Sequence, residues 1–112
     1  IFGLLSCESK NETIPKNIIP QNTMIQLITD IEITQGFIKV KNTTIDSIDT
    51  KKLYLNNFKK YGTTKNQFNE SLKYYSANPK QIENIYKKVI VQLSEKQAEN
   101  MKNYQSVKAH DD

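Results

Sequence analysis

The chain has no arginine and no tryptophan, and its 112 residues include one cysteine, one histidine, three glycines and three prolines. The missing arginine excludes most. Its guanidinium supplies the two-pronged fork that reads phosphate and guanine, so a net charge of +4 carried by lysine alone does not point to nucleic acid. The lysines are interspersed with twelve acids, the arrangement of a solvated surface. A single cysteine rules out an intramolecular disulfide and any CxxC metal or redox motif. Long apolar runs are also absent, and none approaches the roughly 20 residues that span a bilayer. With so few glycines and prolines to break it, the chain is expected to fold into long regular elements.

What is present is enough for one domain. Hydrophobic residues at 37% and charged residues at 25% suit a modest core in a chain of this length and lie well short of a disordered composition. The beginning is the informative part. Ile1-Phe2-Gly3-Leu4-Leu5-Ser6 is apolar or small throughout, Cys7 follows, and Glu8-Ser9-Lys10-Asn11-Glu12 has no apolar residue. Residues 1–6 read as the end of a signal-peptide apolar region, and Leu4-Leu5-Ser6-Cys7 reads as a bacterial lipobox. Small and apolar side chains next to the cut suit the peptidase, and the free thiol takes the lipid. The bland alternative is a small buried cysteine in a short N-terminal helix or strand. Each buried methylene of an acyl chain contributes roughly 0.8 kcal/mol, and one chain alone anchors only marginally. Two or three chains on Cys7 would hold the protein to a membrane.

Residues 7–20 are expected to form a polar tether and then a strap. Pro15 and Pro20 forbid a regular helix there, and Ile14, Ile18 and Ile19 are placed to lie across helices formed later. A helical domain is expected over 21–105, with helices near 21–38, 49–61, 64–77 and 79–104. Met24, Leu27, Ile28, Ile31 and Ile38 mark the apolar face of the first. Asp49-Thr50 can cap the second, which carries Leu53, Tyr54, Phe58 and Tyr61 and ends at Gly62. Thr64 to Gln67 fits a capping box for the third, with Phe68, Leu72 and Tyr75 at helical spacing. Asn78-Pro79 is a stop and a restart. Ile82, Ile85, Tyr86, Val89 and Leu93 form the stripe of the fourth helix, about 39 Å long at about 1.5 Å per residue. Leu27, Ile31, Phe58, Phe68, Leu72, Ile85, Tyr86 and Val89 are expected to share the core. Residues 106–112 read as a flexible tail. The fold class is therefore all-α: a small bundle of three to four helices, with an extended N-terminal lipid-anchored tether and a long C-terminal helix.

Several stretches occur in a familiar combination: the lipobox, "IPKNIIP", "LITDI", "FKKYGTTKNQFNESLKYYSANP" and "IENIYKKVIVQL". Together they resemble the small Bacteroidota lipoproteins of domain of unknown function 4296. The resemblance covers most of residues 7–93. Its most specific part is the order Tyr61-Gly62, Phe68, Ser71-Leu72, Tyr74-Tyr75 and Pro79, with Pro15, Asp30, Tyr86 and Leu93 as further matching positions. It implies a helical cell-envelope lipoprotein and brings no catalytic residue with it.

No catalytic constellation is legible. His110 sits in a polar tail with no fixed partner, which a general base needs. Ser71 lies beside Glu70 with no base placed to activate it, so a helix-surface or helix-packing serine is the better reading. Asp30 and Glu32, two apart, point to different helix faces; Asp30 instead suits a hydrogen bond from a tyrosine. No metal or cofactor motif is found. Partner binding is the remaining candidate. Tyr74 is expected at the periphery beside a buried Tyr75, and tyrosine is common at interface hot spots. Beyond Leu93, Ala98, Met101 and Tyr104 carry a thin apolar face that the shorter helices do not reach, so Met101 and Tyr104 join Tyr74 as possible contacts. The expected protein is a non-enzymatic lipoprotein on the periplasmic side of the outer membrane. Its partners would be the membrane, through acylated Cys7, and envelope proteins such as an outer-membrane assembly complex, and no nucleic acid. A surface location is disfavoured because the acids after Cys7 are not densely clustered. The alternative is a periplasmic ligand-binding protein or hydrolase with its site between helices.

Overall fold

The computed structural model describes residues 14–40 and 47–111. Four helices lie among the described residues: α1 (Gln21–Val40), α2 (Ser47–Lys60), α3 (Lys65–Ser76) and α4 (Pro79–Asp111). No strand occurs among the described residues, so the chain is all-α, with a long C-terminal helix as expected. The lipobox and tether lie outside the described residues.

Local chemistry sets the boundaries. Gly62 adopts φ 64°, the left-handed conformation that closes a helix without a Cβ clash. The amides of Gly62 and Thr63 return to the carbonyls of Lys59 and Phe58 at 3.0 Å each. Thr64 caps α3, its hydroxyl accepting from the Gln67 amide at 3.1 Å. The reciprocal half of the capping box does not form. The Gln67 side-chain oxygen instead takes the hydroxyl of Thr63 at 2.7 Å, in place of the Thr64 amide that sequence spacing suggests. Asn78 caps α4 by accepting from the amides of Lys80 and Gln81, and Pro79 fills the first helical position, where its missing N–H costs nothing.

Helix α1 is central. It packs against α4 and α2, while α3 packs against α4. The α1–α4 pair runs in one direction: Lys96 reaches Asp30, and Ile33 shares a groove with residues from Leu93 to Lys108. Helix α2 runs back along α1, with the Asn57 amide donating to the Thr34 hydroxyl at 2.8 Å. The core joins Met24, Ile25, Leu27 and Ile28 of α1 to Phe58, Tyr75, Ile85 and Val89. Ile18 and Ile19 of the strap are buried among them, and Ile14 packs at the edge. Those isoleucines lie across the helices, as expected of an extended strap.

Two expectations need correction. Tyr86 is not a core residue; it is 42% exposed. Ile85 and Val89 face α1 four residues apart, and Tyr86 lies about 100° further round the helix. Where apolar residues are adjacent, periodicity alone cannot choose between them. The residues expected as a tail from 106 continue α4 through Asp111. No glycine or proline follows Pro79 to stop the helix, and its 33 residues extend roughly 50 Å at about 1.5 Å per residue. Ile31, Phe68 and Leu72 pack against the core but remain partly exposed.

Candidate functional site

The most polar junction of the fold centres on Asp30, whose side chain is 11% exposed. Tyr61 donates its hydroxyl to Oδ2 at 2.5 Å, and the Lys60 ammonium meets the same oxygen at 3.0 Å. Lys96 approaches Oδ1 at 3.5 Å. Burial pushes the Asp30 carboxyl up, but the bonds from Tyr61 and Lys60 and the charges of Lys60 and Lys96 outweigh it and hold the pKa below the ordinary value. The hydrogen bond to Asp30 chiefly raises Lys60, and burial first, then Asp30, raises Tyr61. A carboxylate so engaged is a poor base. Its effect is to tie α1, the end of α2 and the middle of α4 together. The tyrosine expected to meet Asp30 is thus Tyr61, and the exposed Glu32 takes no part.

Ser71 is also structural. Fully buried, it accepts the Ile19 amide at 2.8 Å and donates to the Gln67 carbonyl at 2.7 Å. No group of acids, histidines or cysteines placed to hold a metal occurs among the described residues. Among the described residues no helix is long and apolar enough to cross a membrane. Cys7 lies outside the described residues, as does the side chain of His110.

The exposed apolar surface lies elsewhere. Met101 is 58% and Tyr104 67% exposed, in a stretch of α4 beyond the reach of α3. They line an open groove against Ile33 of α1. Phe37, one helical turn beyond Ile33, and Val107 of α4 are also exposed. Tyr74 is not part of this surface. It is half-buried on α3, edge-on to Tyr75 with ring centroids 5.2 Å apart, at the opposite end of α4. The three expected contact residues therefore divide into a pair and an isolated tyrosine. The α1 contribution was missed, although Ile33 and Phe37 are four apart and offset from the Leu27–Ile31 row, the mark of a second apolar face.

A four-helix domain with an ion-paired centre and an apolar flank defines a small helical module. Residues 15–99 match the family described as Domain of unknown function (DUF4296), and the chain belongs to that family. The match starts after Cys7 and runs past Ser94, further along α4 than the sequence resemblance reached. No curated protein and no solved structure matches the chain.

Proposed function

We propose that this protein is a non-enzymatic lipoprotein of the Bacteroidota cell envelope, anchored through acylated Cys7 to the periplasmic face of the outer membrane. Its task is to dock envelope proteins, and an accessory part in outer-membrane protein assembly suits a small module of this kind. One observation carries the docking reading: Met101 and Tyr104 of α4 lie exposed along one groove with Ile33 of α1. Exposed apolar side chains gathered on two adjacent helices are a usual mark of an interaction surface, and a tyrosine is a common anchor within one. The engaged Asp30 carboxylate and the structural Ser71 supply no acid–base or nucleophilic centre, which favours recognition over hydrolysis.

The test uses the full-length lipoprotein in its own envelope, with a photo-crosslinking amino acid at Tyr104, at Phe37 or at Tyr74. Tyr104 and Phe37 should label the same envelope proteins, and truncation after Ser94 should abolish their recovery. Labelling from Tyr74 alone, with recovery unchanged by the truncation, would move the docking surface to α3.

A further inference from the structure

We propose that the recess between α2 and α3 is a binding site for a single-chain anionic amphiphile, a long-chain carboxylate whose tail lies on Phe58 and Phe68 and whose head meets Lys51 and Lys65. The site is separate from the α1–α4 groove and does not depend on the docking reading.

The recess follows from the two helix faces that meet there. Lys51, Tyr54, Leu55 and Phe58 repeat at the i, i+3, i+4, i+7 spacing of one face of α2, and Lys65, Phe68 and Asn69 repeat on α3 in the same way. Phe58 and Phe68 meet with ring centroids 5.7 Å apart, tilted by 50°. With Ile31 of α1 they make an apolar floor, and Leu55 on the wall is left 45% exposed. The recess is open on one side and holds about 320 Å³, at the lower end of the range of small-molecule sites.

The charge of the lining selects the head group. Lys51 and Lys65 both line the recess, and no carboxylate does so among the described residues. A lysine lays its aliphatic stem along apolar surface and keeps its ammonium at the water boundary. Two such stems give an apolar slot with a cationic rim, complementary to an apolar tail that ends in a negative charge. A neutral apolar side chain from a second protein would fill the slot and leave both ammonium groups unused.

The experiment titrates the full 112-residue chain, under reducing conditions, with dodecanoate below its micelle concentration, followed by amide NMR and thermal melting. Dodecanoate should bind at one saturable site, shift the amides of Leu55, Phe58, Phe68 and Asn69, and raise the melting temperature. Dodecyltrimethylammonium, with the same tail and the opposite charge, should bind at least about tenfold more weakly, the equivalent of 1.4 kcal/mol. Leu55→Glu should abolish the site. The double variant Lys51→Glu, Lys65→Glu changes only surface positions, so it keeps the test sound if the Leu55 variant fails to fold, and it should reverse the head-group preference. Equal affinity for the two amphiphiles, or shifts confined to the Ile33–Tyr104 groove, would overturn the proposal. So would self-association that Leu55→Glu abolishes in a protein indifferent to dodecanoate, which would make the occupant a second copy.

Discussion

Tyr75 donates its phenolic hydrogen to the carbonyl oxygen of Ile19 at 2.7 Å, 56 positions back along the chain. Ser71, one turn earlier on α3, accepts the amide of the same residue at 2.8 Å. Ile19 has no secondary structure of its own, and a buried backbone group left without a partner is costly. Two side chains of α3 thus meet both the donor and the acceptor of one strap residue. Burial, and to a lesser degree the neighbouring Tyr74, hold the Tyr75 hydroxyl above its ordinary pKa, so it remains a donor at neutral pH.

Tyr75→Phe should therefore destabilise the domain by about 1–3 kcal/mol, the cost of an unpaired buried acceptor. Ser71→Ala should cost a similar amount through the Ile19 amide. The double variant should cost less than the two effects added, because both hold one residue. Urea unfolding of the four proteins measures this coupling, and strict additivity would mean that the two bonds act independently.

Asp30 gives the stability an acid limb. Its pKa is lowered in the folded protein from 3.8, so its contribution is fully present above that value and is lost as the pH falls through the lower folded pKa. Asp30→Asn should destabilise the protein at neutral pH, and the gap from the native protein should narrow below about pH 4. Thermal melts at pH 7 and pH 3 check the sign. A gap that widened on acidification would assign the effect to another group.

Phe58 and Tyr86 should separate cleanly despite their similar size. Phe58 is 7% exposed and Tyr86 42%. Phe58→Ala should cost about 3–5 kcal/mol, whereas Tyr86→Ala should cost on the order of 1 kcal/mol or less. Gly62→Ala isolates a backbone effect. Nothing lies within 4 Å of a Cβ built there, yet φ is +64°, so a loss of about 1 kcal/mol would come from the conformation alone. Denaturant midpoints should fall furthest for Phe58→Ala, with much smaller losses for Tyr86→Ala and Gly62→Ala.

Cys7 is the remaining test, and it concerns processing. In the full-length precursor, Cys7→Ala should leave the protein uncleaved and without acyl chains, whereas the native protein gains them. Intact-mass measurement reads both results. A mature native protein with an unmodified thiol would remove the anchor.

The helices were legible because the sequence punctuates them. Gly62, Thr64 and the Asn78-Pro79 pair act within a few residues, and their caps form much as local chemistry requires. The Asp30–Tyr61 bond was legible only as a type, a carboxylate awaiting a tyrosine, because spacing says nothing about which distant helix brings the partner. Ser71 looked like a packing serine, and its bond to Ile19 spans 52 positions, beyond the reach of any local pattern. Tyr86 was misplaced because three apolar residues, Ile85, Tyr86 and Val89, compete for one helical face and only the packing partner decides. The site was half legible. Met101 and Tyr104 stood out beyond the last covering helix, whereas Ile33 and Phe37 were hidden within an α1 sequence that is apolar on more than one side.

The attachment of the strap to α3 also sets how tension would pass through the molecule. A pull on the chain ahead of Ile14 does not unwind α1 from its first turn. It arrives first at Ile18 and Ile19, where two buried side chains and the two bonds from Ser71 and Tyr75 resist it. The load therefore passes from the strap into α3, a helix far away in sequence. Pro20, rigid in φ, then separates this clamp from α1. Under force, the junction at Ile19 would be loaded before any helix.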